Sequence, residues 1–273
     1  MPADALTALT ITPIPAFADN YIWAMVAGRN CVVVDPGEAA PVSKFLEEHA
    51  LTLRAILVTH HHADHIGGVD ALIARWPVPV YGPAAENIAC VTQALREGDT
   101  VALPDFVDQP FRVMEVPGHT RGHIAYVSGD ILFCGDTLFA AGCGRLFEGT
   151  AAQLHDSLQR LAALPEKTRV FCTHEYTLSN LRFAMAVDAD NSDLVERVFV
   201  EQERRARNVP TLPSSIGLER ATNPFLRCAS ANVKRSAQAH AVALAEVNLH
   251  APPLDKAVDV FAVLRQWKNE FRA

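Results

Sequence analysis

Ala55-Ile56-Leu57-Val58-Thr59-His60-His61-His62-Ala63-Asp64-His65 carries the strongest structural signal in the chain. A short apolar run is followed at once by an HxHxDH cluster, which places four potential metal ligands within six residues. Runs of this length, rich in β-branched or aromatic residues, read as buried strands. Three others end in the same way: Val113 to Gly118 is closed by His119, Ile131 to Gly135 by Asp136, and Val170 to Thr173 by His174. Strands that end together gather their last residues at one sheet edge, where α/β proteins bind ligands. The pattern predicts an α/β fold built to hold metal.

The ligand count suggests how many ions. A catalytic zinc keeps about three protein ligands and an open position, so five histidines and two aspartates are roughly twice what one ion needs. With one bridging carboxylate the set divides evenly. His60, His62 and His119 would hold one ion, Asp64, His65 and His174 the other, and Asp136 would span both. Two ions ~3.5 to 4 Å apart can share a hydroxide and clamp a reacting group. Nitrogen and oxygen donors without thiolate suit zinc, iron or manganese.

The remaining histidines read differently. His49 falls in an amphipathic helix, and His155, His240 and His250 stand apart from any cluster as packing or surface residues. His61 points away from His60 and His62, because alternate side chains of an extended stretch share a side. His123 is a candidate supporting partner of the ligands.

Length and composition narrow the class. A chain of 273 residues, 49% hydrophobic and 20% charged, can bury a full core and is not disordered. No apolar stretch of about 18 residues offers a membrane span. Met1-Pro2-Ala3-Asp4 carries an acid where a signal peptide would be basic. The six cysteines lack close pairing, as expected of reduced thiols in a cytoplasmic protein. Residues 1–176 hold 11 Lys and Arg against 20 Asp and Glu, whereas residues 177–273 hold 13 against 11. That balance gives no basic footprint for nucleic acid, but the more basic tail could attract an anionic small molecule. A monomer is expected.

The boundary near residue 177 also separates textures. Before it, strands such as Cys31 to Val34, Ala55 to Val58 and Phe111 to Val116 alternate with turns like Asp35-Pro36-Gly37 and short helices. Pro41 to His49 would bury Val42, Phe45 and Leu46. Ala151 to Leu164 repeats Leu154, Leu158 and Leu161 on one helical face. Beyond residue 177 the strand signal nearly vanishes. Asp193 to Arg207 reads as a charged helix ended by Pro210 and Pro213, and Asp255 to Phe271 aligns Val260, Leu264, Trp267 and Phe271. The division predicts a metal-binding catalytic domain over 1–176 and a helical substrate-binding domain over 177–273.

Thr59 to His65, together with His119, Asp136 and His174, resembles the metallo-β-lactamase superfamily, which implies an αββα sandwich with its metal site at one edge. Four further segments are similar to the glyoxalase II, or hydroxyacylglutathione hydrolase, family: Gly135-Asp136-Thr137-Leu138-Phe139, Ala141 to Thr150, Cys172-Thr173-His174-Glu175-Tyr176-Thr177 and Asn223-Pro224-Phe225-Leu226-Arg227. The resemblance implies hydrolysis of S-D-lactoylglutathione to D-lactate and glutathione, the second step of methylglyoxal removal. It also implies the seven ligands above, with substrate contacts on Arg145, Tyr176 and Arg227. Animal and plant relatives commonly have lysine and tyrosine in place of Arg145 and Phe147; this chain resembles bacterial members there. Lys268 lies in a segment where Asn269 replaces the family's acid, which makes it a weaker candidate contact.

The chemistry is consistent with that expectation. A thiol leaves easily, its pKa being near ~8.5, and the scarce reactant at neutral pH is hydroxide. Two divalent ions, zinc foremost, would supply it in bridging form. Asp64 and Asp136 would be the catalytic carboxylates, Asp64 accepting a hydrogen bond from the nucleophile. Cys143 in its glycine-rich turn is a rival nucleophile without a base beside it in sequence. Two other classes compete: a persulfide dioxygenase using one iron on His60, His119 and Asp136, and a non-catalytic metal-binding protein.

Overall fold

The computed structural model describes residues 9–245 and 254–272; His250 and Met1 to Asp4 lie outside them. The chain forms two compact units. The first takes in the chain through Glu115, then Arg121–Gly135 and Phe171–His174; the second holds Val116–Thr120, Asp136–Val170 and the chain from Glu175.

The first unit opens with β1 (Thr10–Ala16), β2 (Asn20–Ala27), β3 (Asn30–Val34), α1 (Ala39–Glu48), β4 (Thr52–Leu57), α2 (Ala63–Ile66) and α3 (Val69–Arg75). It continues with β5 (Val80–Pro83), β6 (Gln93–Leu95), β7 (Thr100–Val101), β8 (Phe111–Glu115), β9 (Ile124–Ser128) and β10 (Ile131–Gly135). In the second unit, β11 (Leu138–Phe139) and β12 (Gly142–Cys143) precede α4 (Ala151–Ala162), and β13 (Arg169–Cys172) runs from one unit into the other. Then come α5 (Thr177–Val187), α6 (Ser192–Ala206), β14 (Ser214–Ser215), α7 (Ile216–Thr222), α8 (Ala231–Ala245) and α9 (Ala257–Glu270).

Strands β1 to β6 make one sheet in sequence order. The β1-β2-β3 meander is antiparallel and the β3 to β6 pairings are parallel. Pro13 and Pro15 lie in β1, an edge strand, where a missing ladder donor is tolerated. Alternation along β2 and β3 feeds two layers. Ile22, Ala24, Cys31 and Val33 pack with Val42 and Leu46 of α1 and Val69 and Leu72 of α3. On the opposite face, Trp23 sets its edge on Phe171 at 5.0 Å and donates to the Cys172 carbonyl, 2.9 Å. Phe45, expected inside, is half-buried.

In the same unit β7, β8, β9 and β10 form an antiparallel meander, and the end of β13 lies beside β10. Two sheets therefore face each other, tied also by the Tyr126 hydroxyl donating to the Val58 carbonyl at 2.8 Å. The expectation of one ligand-bearing sheet edge is corrected: β4 belongs to the first sheet, whereas β8, β10 and β13 belong to the second. Because β8 and β10 are both antiparallel to β9, their C-terminal ends share an edge. There the Tyr21 N–H donates to the Thr173 carbonyl, 2.7 Å, and Asn20 bridges His174, joining the start of β2 to the end of β13.

The second unit is mainly helical, as the loss of strand signal implies. Thr150 and Gln153 close a reciprocal capping box on α4, and Asn191 caps α6. Leu154, Leu158 and Leu161 are buried, as are Val260 and Leu264 of α9. Phe183, Phe225, Phe261, Trp267 and Phe271 form an aromatic cluster around α9. His155 meets Phe261 edge-on and His240 stacks on Trp267, the packing roles expected of them. Among the described residues, no helix is long and apolar enough to cross a membrane.

Candidate metal centre

In the first unit the short helix α2 and the segment just past β13 bring three of the expected ligands together. One donor atom from each of Asp64, His65 and His174 lies within 4.8 Å of the others. Each imidazole is held by one nitrogen. His65 Nδ1 is 3.0 Å from Asp35 Oδ2, and His174 Nδ1 is 2.9 Å from Asp19 Oδ1. His174 Nδ1 thus hydrogen-bonds a carboxylate, which leaves the lone pair on Nε2, while His65 Nδ1 lies beside Asp35 at ion-pair distance. Both Nε2 atoms aim at Asp64 Oδ2, at 3.6 Å from His65 and 3.4 Å from His174. Asn20 Nδ2 donates to that same oxygen at 3.1 Å.

His60 obeys the same logic through a relay. The Thr59 hydroxyl donates to Asp35 Oδ2, 2.7 Å, and can then accept from His60 Nδ1, 3.1 Å away. His60 Nε2 is left to face His62 Nδ1 at 3.0 Å. His61 turns aside to Glu86 at 2.9 Å, as the alternation predicts. His123 is fully buried and stacks on His60, with ring centroids 4.6 Å apart. Gly135, at φ +46°, leaves no room for a side chain: a Cβ would stand 2.3 Å from Thr59 Oγ1 and 2.9 Å from His123.

The second unit holds the other two expected ligands. His119 Nδ1 lies 2.8 Å from the Arg145 carbonyl, so its Nε2 carries the lone pair, 3.4 Å from Asp136 Oδ2. Gly144 packs against both: a Cβ there would stand 1.9 Å from the Asp136 carbonyl oxygen and 3.3 Å from His119 Cβ.

Comparison with known proteins gives this arrangement a lineage. The metallo-beta-lactamase superfamily matches residues 18–174, and the hydroxyacylglutathione hydrolase C-terminus matches residues 175–271. A protein of Nitrosomonas europaea named hydroxyacylglutathione hydrolase is 48% identical over 97% of each chain. One of Alkalilimnicola ehrlichii with the same name is 53% identical over 95% of this chain and 98% of its own. The chain belongs to the hydroxyacylglutathione hydrolase family. Its fold is that of the metallo-β-lactamase superfamily. Among solved structures, TTHA1623 in a di-iron-bound form superposes with a TM-score of 0.56, at 27% identity over 79% of this chain and all of that one.

For a member of the hydroxyacylglutathione hydrolase family, the residues present fit a divalent metal. The donors are imidazole and carboxylate only, those of Asp64, His65 and His174 converge, and His60, His65, His119 and His174 each have one ring nitrogen beside a polar partner. Sequence reading passed over four of the anchors: Asp19, Asn20, Asp35 and Thr59. Asp35 had a signal, since it closes the apolar run Cys31 to Val34 as Asp136 closes β10, yet Pro36-Gly37 made it read as a turn residue. Its φ of +52° is unusual for a residue other than glycine. Asp19 and Asn20 had no comparable mark.

All three expected substrate contacts of this hydroxyacylglutathione hydrolase family member lie in the second unit. Arg145 has its guanidinium 5.7 Å from the Phe147 ring, which is exposed and also meets His119 edge-on. Tyr176 is exposed and meets Phe139 edge-on. Arg227 Nε donates to the buried carboxylate of Asp188 at 3.0 Å, so part of its role is internal. Lys268 donates to the Ser179 carbonyl at 3.2 Å, and burial, aided by Arg265 and Arg182, lowers its pKa to about 8. Cys143 is buried, which pushes its thiol pKa up against the opposing pull of Arg265. That disfavours the thiolate a nucleophile needs. None of the six cysteines is in a disulfide.

Proposed function

We propose that the protein hydrolyses S-D-lactoylglutathione and related 2-hydroxyacylglutathione thioesters to the 2-hydroxy acid and glutathione, using two divalent ions, zinc foremost. His60, His62 and His119 would hold one ion and Asp64, His65 and His174 the other, with Asp136 the carboxylate that would be shared. The observation that carries the reading is the set of imidazoles anchored through one nitrogen while the second aims at another ligand.

When bound, the ions lower the pKa of water and polarise the thioester carbonyl. The chain's residues do the rest. Asp35, Asp19, Thr59 and the Arg145 carbonyl keep the imidazoles oriented, so little reorganisation accompanies reaction. Asp64, whose Oδ2 takes a hydrogen bond from Asn20, would accept a hydrogen bond from the attacking oxygen. Arg145, Tyr176 and Arg227 bind the glutathione carboxylates and backbone, within a catalytic domain over 1–176 and a helical substrate domain over 177–273. The enzyme works as a cytoplasmic monomer.

The test is an assay of S-D-lactoylglutathione loss with purified protein of determined metal content. Turnover that tracks the second equivalent of metal supports the reading. Oxygen uptake with glutathione persulfide and no thioester hydrolysis would overturn it in favour of an oxygenase.

A further inference from the structure

Glu219 of α7 is a carboxylate with no exposure at all, and four donors converge on it. Arg197 Nη2, at 2.7 Å, and the Ser214 hydroxyl meet Oε1, while the Ala141 N–H, at 2.8 Å, and Asn223 Nδ2, at 3.0 Å, meet Oε2. The last two reach the tight hairpin β11–β12. Ala141 sits in its turn at φ +54°, a left-handed conformation that a non-glycine residue adopts at a cost. The two N–H bonds of Asn223 Nδ2 are shared between Glu219 and the carbonyls of Phe139, 3.2 Å, and Gly142, 2.9 Å, one on each hairpin strand. The carboxylate thus holds the turn directly and holds the strands through Asn223.

The backbone just past the hairpin touches two proposed ligands. The Gly144 N–H donates to the Thr137 carbonyl at 3.1 Å, and its Cα packs against the Asp136 carbonyl and His119 Cβ. One residue on, the Arg145 carbonyl accepts from His119 Nδ1. A shift of the hairpin therefore moves the acceptor that fixes the His119 ring.

We infer that Glu219 is a positioning residue for His119 and Asp136, acting through the Leu138–Cys143 hairpin. The inference rests on the proposal that these two residues hold metal. It makes the helical C-terminal segment a support of the metal centre and not only a substrate-binding surface.

The test is E219Q. Each oxygen of Glu219 faces two donors, so an amide NH2 in either orientation confronts groups that need an acceptor. In chelator competition, one of the two zinc ions of E219Q should bind about ten-fold more weakly than in the parent protein, and the absorption spectrum of the cobalt-substituted protein should change. Adding A141G should recover part of that affinity, because glycine accepts the left-handed turn unaided. A Glu219 that only stabilises the fold would lower the melting temperature and leave chelator constant and cobalt spectrum unmoved, which would overturn the inference. If E219Q does not fold, N223S keeps the Glu219–Arg197 pair and removes the donors to Phe139 and Gly142; unchanged zinc affinity in N223S also overturns it. Parent protein that binds no metal would refute the proposed function, whereas parent protein that binds two ions, with both variants unaltered, refutes the positioning role alone.

Discussion

Asp35 Oδ2 stands 3.0 Å from His65 Nδ1 and 2.7 Å from the Thr59 hydroxyl, while Oδ1 takes the Thr59 N–H at 2.7 Å. One buried carboxylate thereby orients His65 directly and His60 through Thr59. D35N must turn its NH2 toward at least one donor, so metal affinity should fall about ten-fold. Competition with a chromogenic chelator reads the change, and parental affinity in D35N would remove Asp35 from this role.

Seven proposed donors are too many for one open catalytic ion. Chelation should abolish thioester hydrolysis, metal addition should restore it, and activity should rise through the second equivalent. Full turnover at one tightly bound ion per chain would end the two-ion assignment.

Cys143 is buried, and its thiolate is disfavoured by that burial. Arg265 holds the Cys143 carbonyl at 3.0 Å, a contact that C143A retains. The variant should therefore keep most of its turnover. A lactoyl group trapped on Cys143, with activity lost in C143A, would make the thiol the nucleophile.

Arg227 pairs with Asp188, and its proposed part in substrate binding can be separated from that contact. R227M should raise KM for S-D-lactoylglutathione about ten-fold, in line with ~1.5 to 3 kcal/mol for a hydrogen bond to a charged group. It should also lower the melting temperature, because Asp188 loses its ion pair. The double variant R227M/D188N should recover stability without recovering KM. If KM follows stability back to the parental value, Arg227 is structural.

Lys268 predicts a pH trend. Its folded pKa is lowered from 10.5 to about 8, chiefly by burial. Between those values the unfolded chain binds the extra proton, so this residue's contribution to stability rises as pH climbs from about 8 toward 10.5. Denaturant titrations of the parent and K268M should differ in that slope. Parallel curves would show that the lysine is not desolvated.

Much of the fold and of the metal centre is legible in residue order, for identifiable reasons. Apolar runs ending in histidine or aspartate mark the buried stretches of β4, β8, β10 and β13, of which β10 is buried throughout and so apolar along its length. The leucine spacing of α4 and the apolar stripe of α9 mark helices that bury one face. The seven proposed ligands and the helical character of the C-terminal part are visible at that level. Phe45 reads as too deep: it packs against the core that holds Val42 and Leu46 but stays half-buried.

Residue order alone specifies where the candidate metal donors fall along the chain, since donor type and strand periodicity are local properties. Three-dimensional packing settles what local order cannot encode. The ligand-bearing strands divide between two sheets, and Asp19, Asn20, Asp35 and Thr59 become anchors only once separate segments meet. Glu219, 75 positions beyond Gly144, reaches the hairpin that sets His119. The tautomer of each imidazole is fixed by such contacts, because the partner of one ring nitrogen decides what the other can bind.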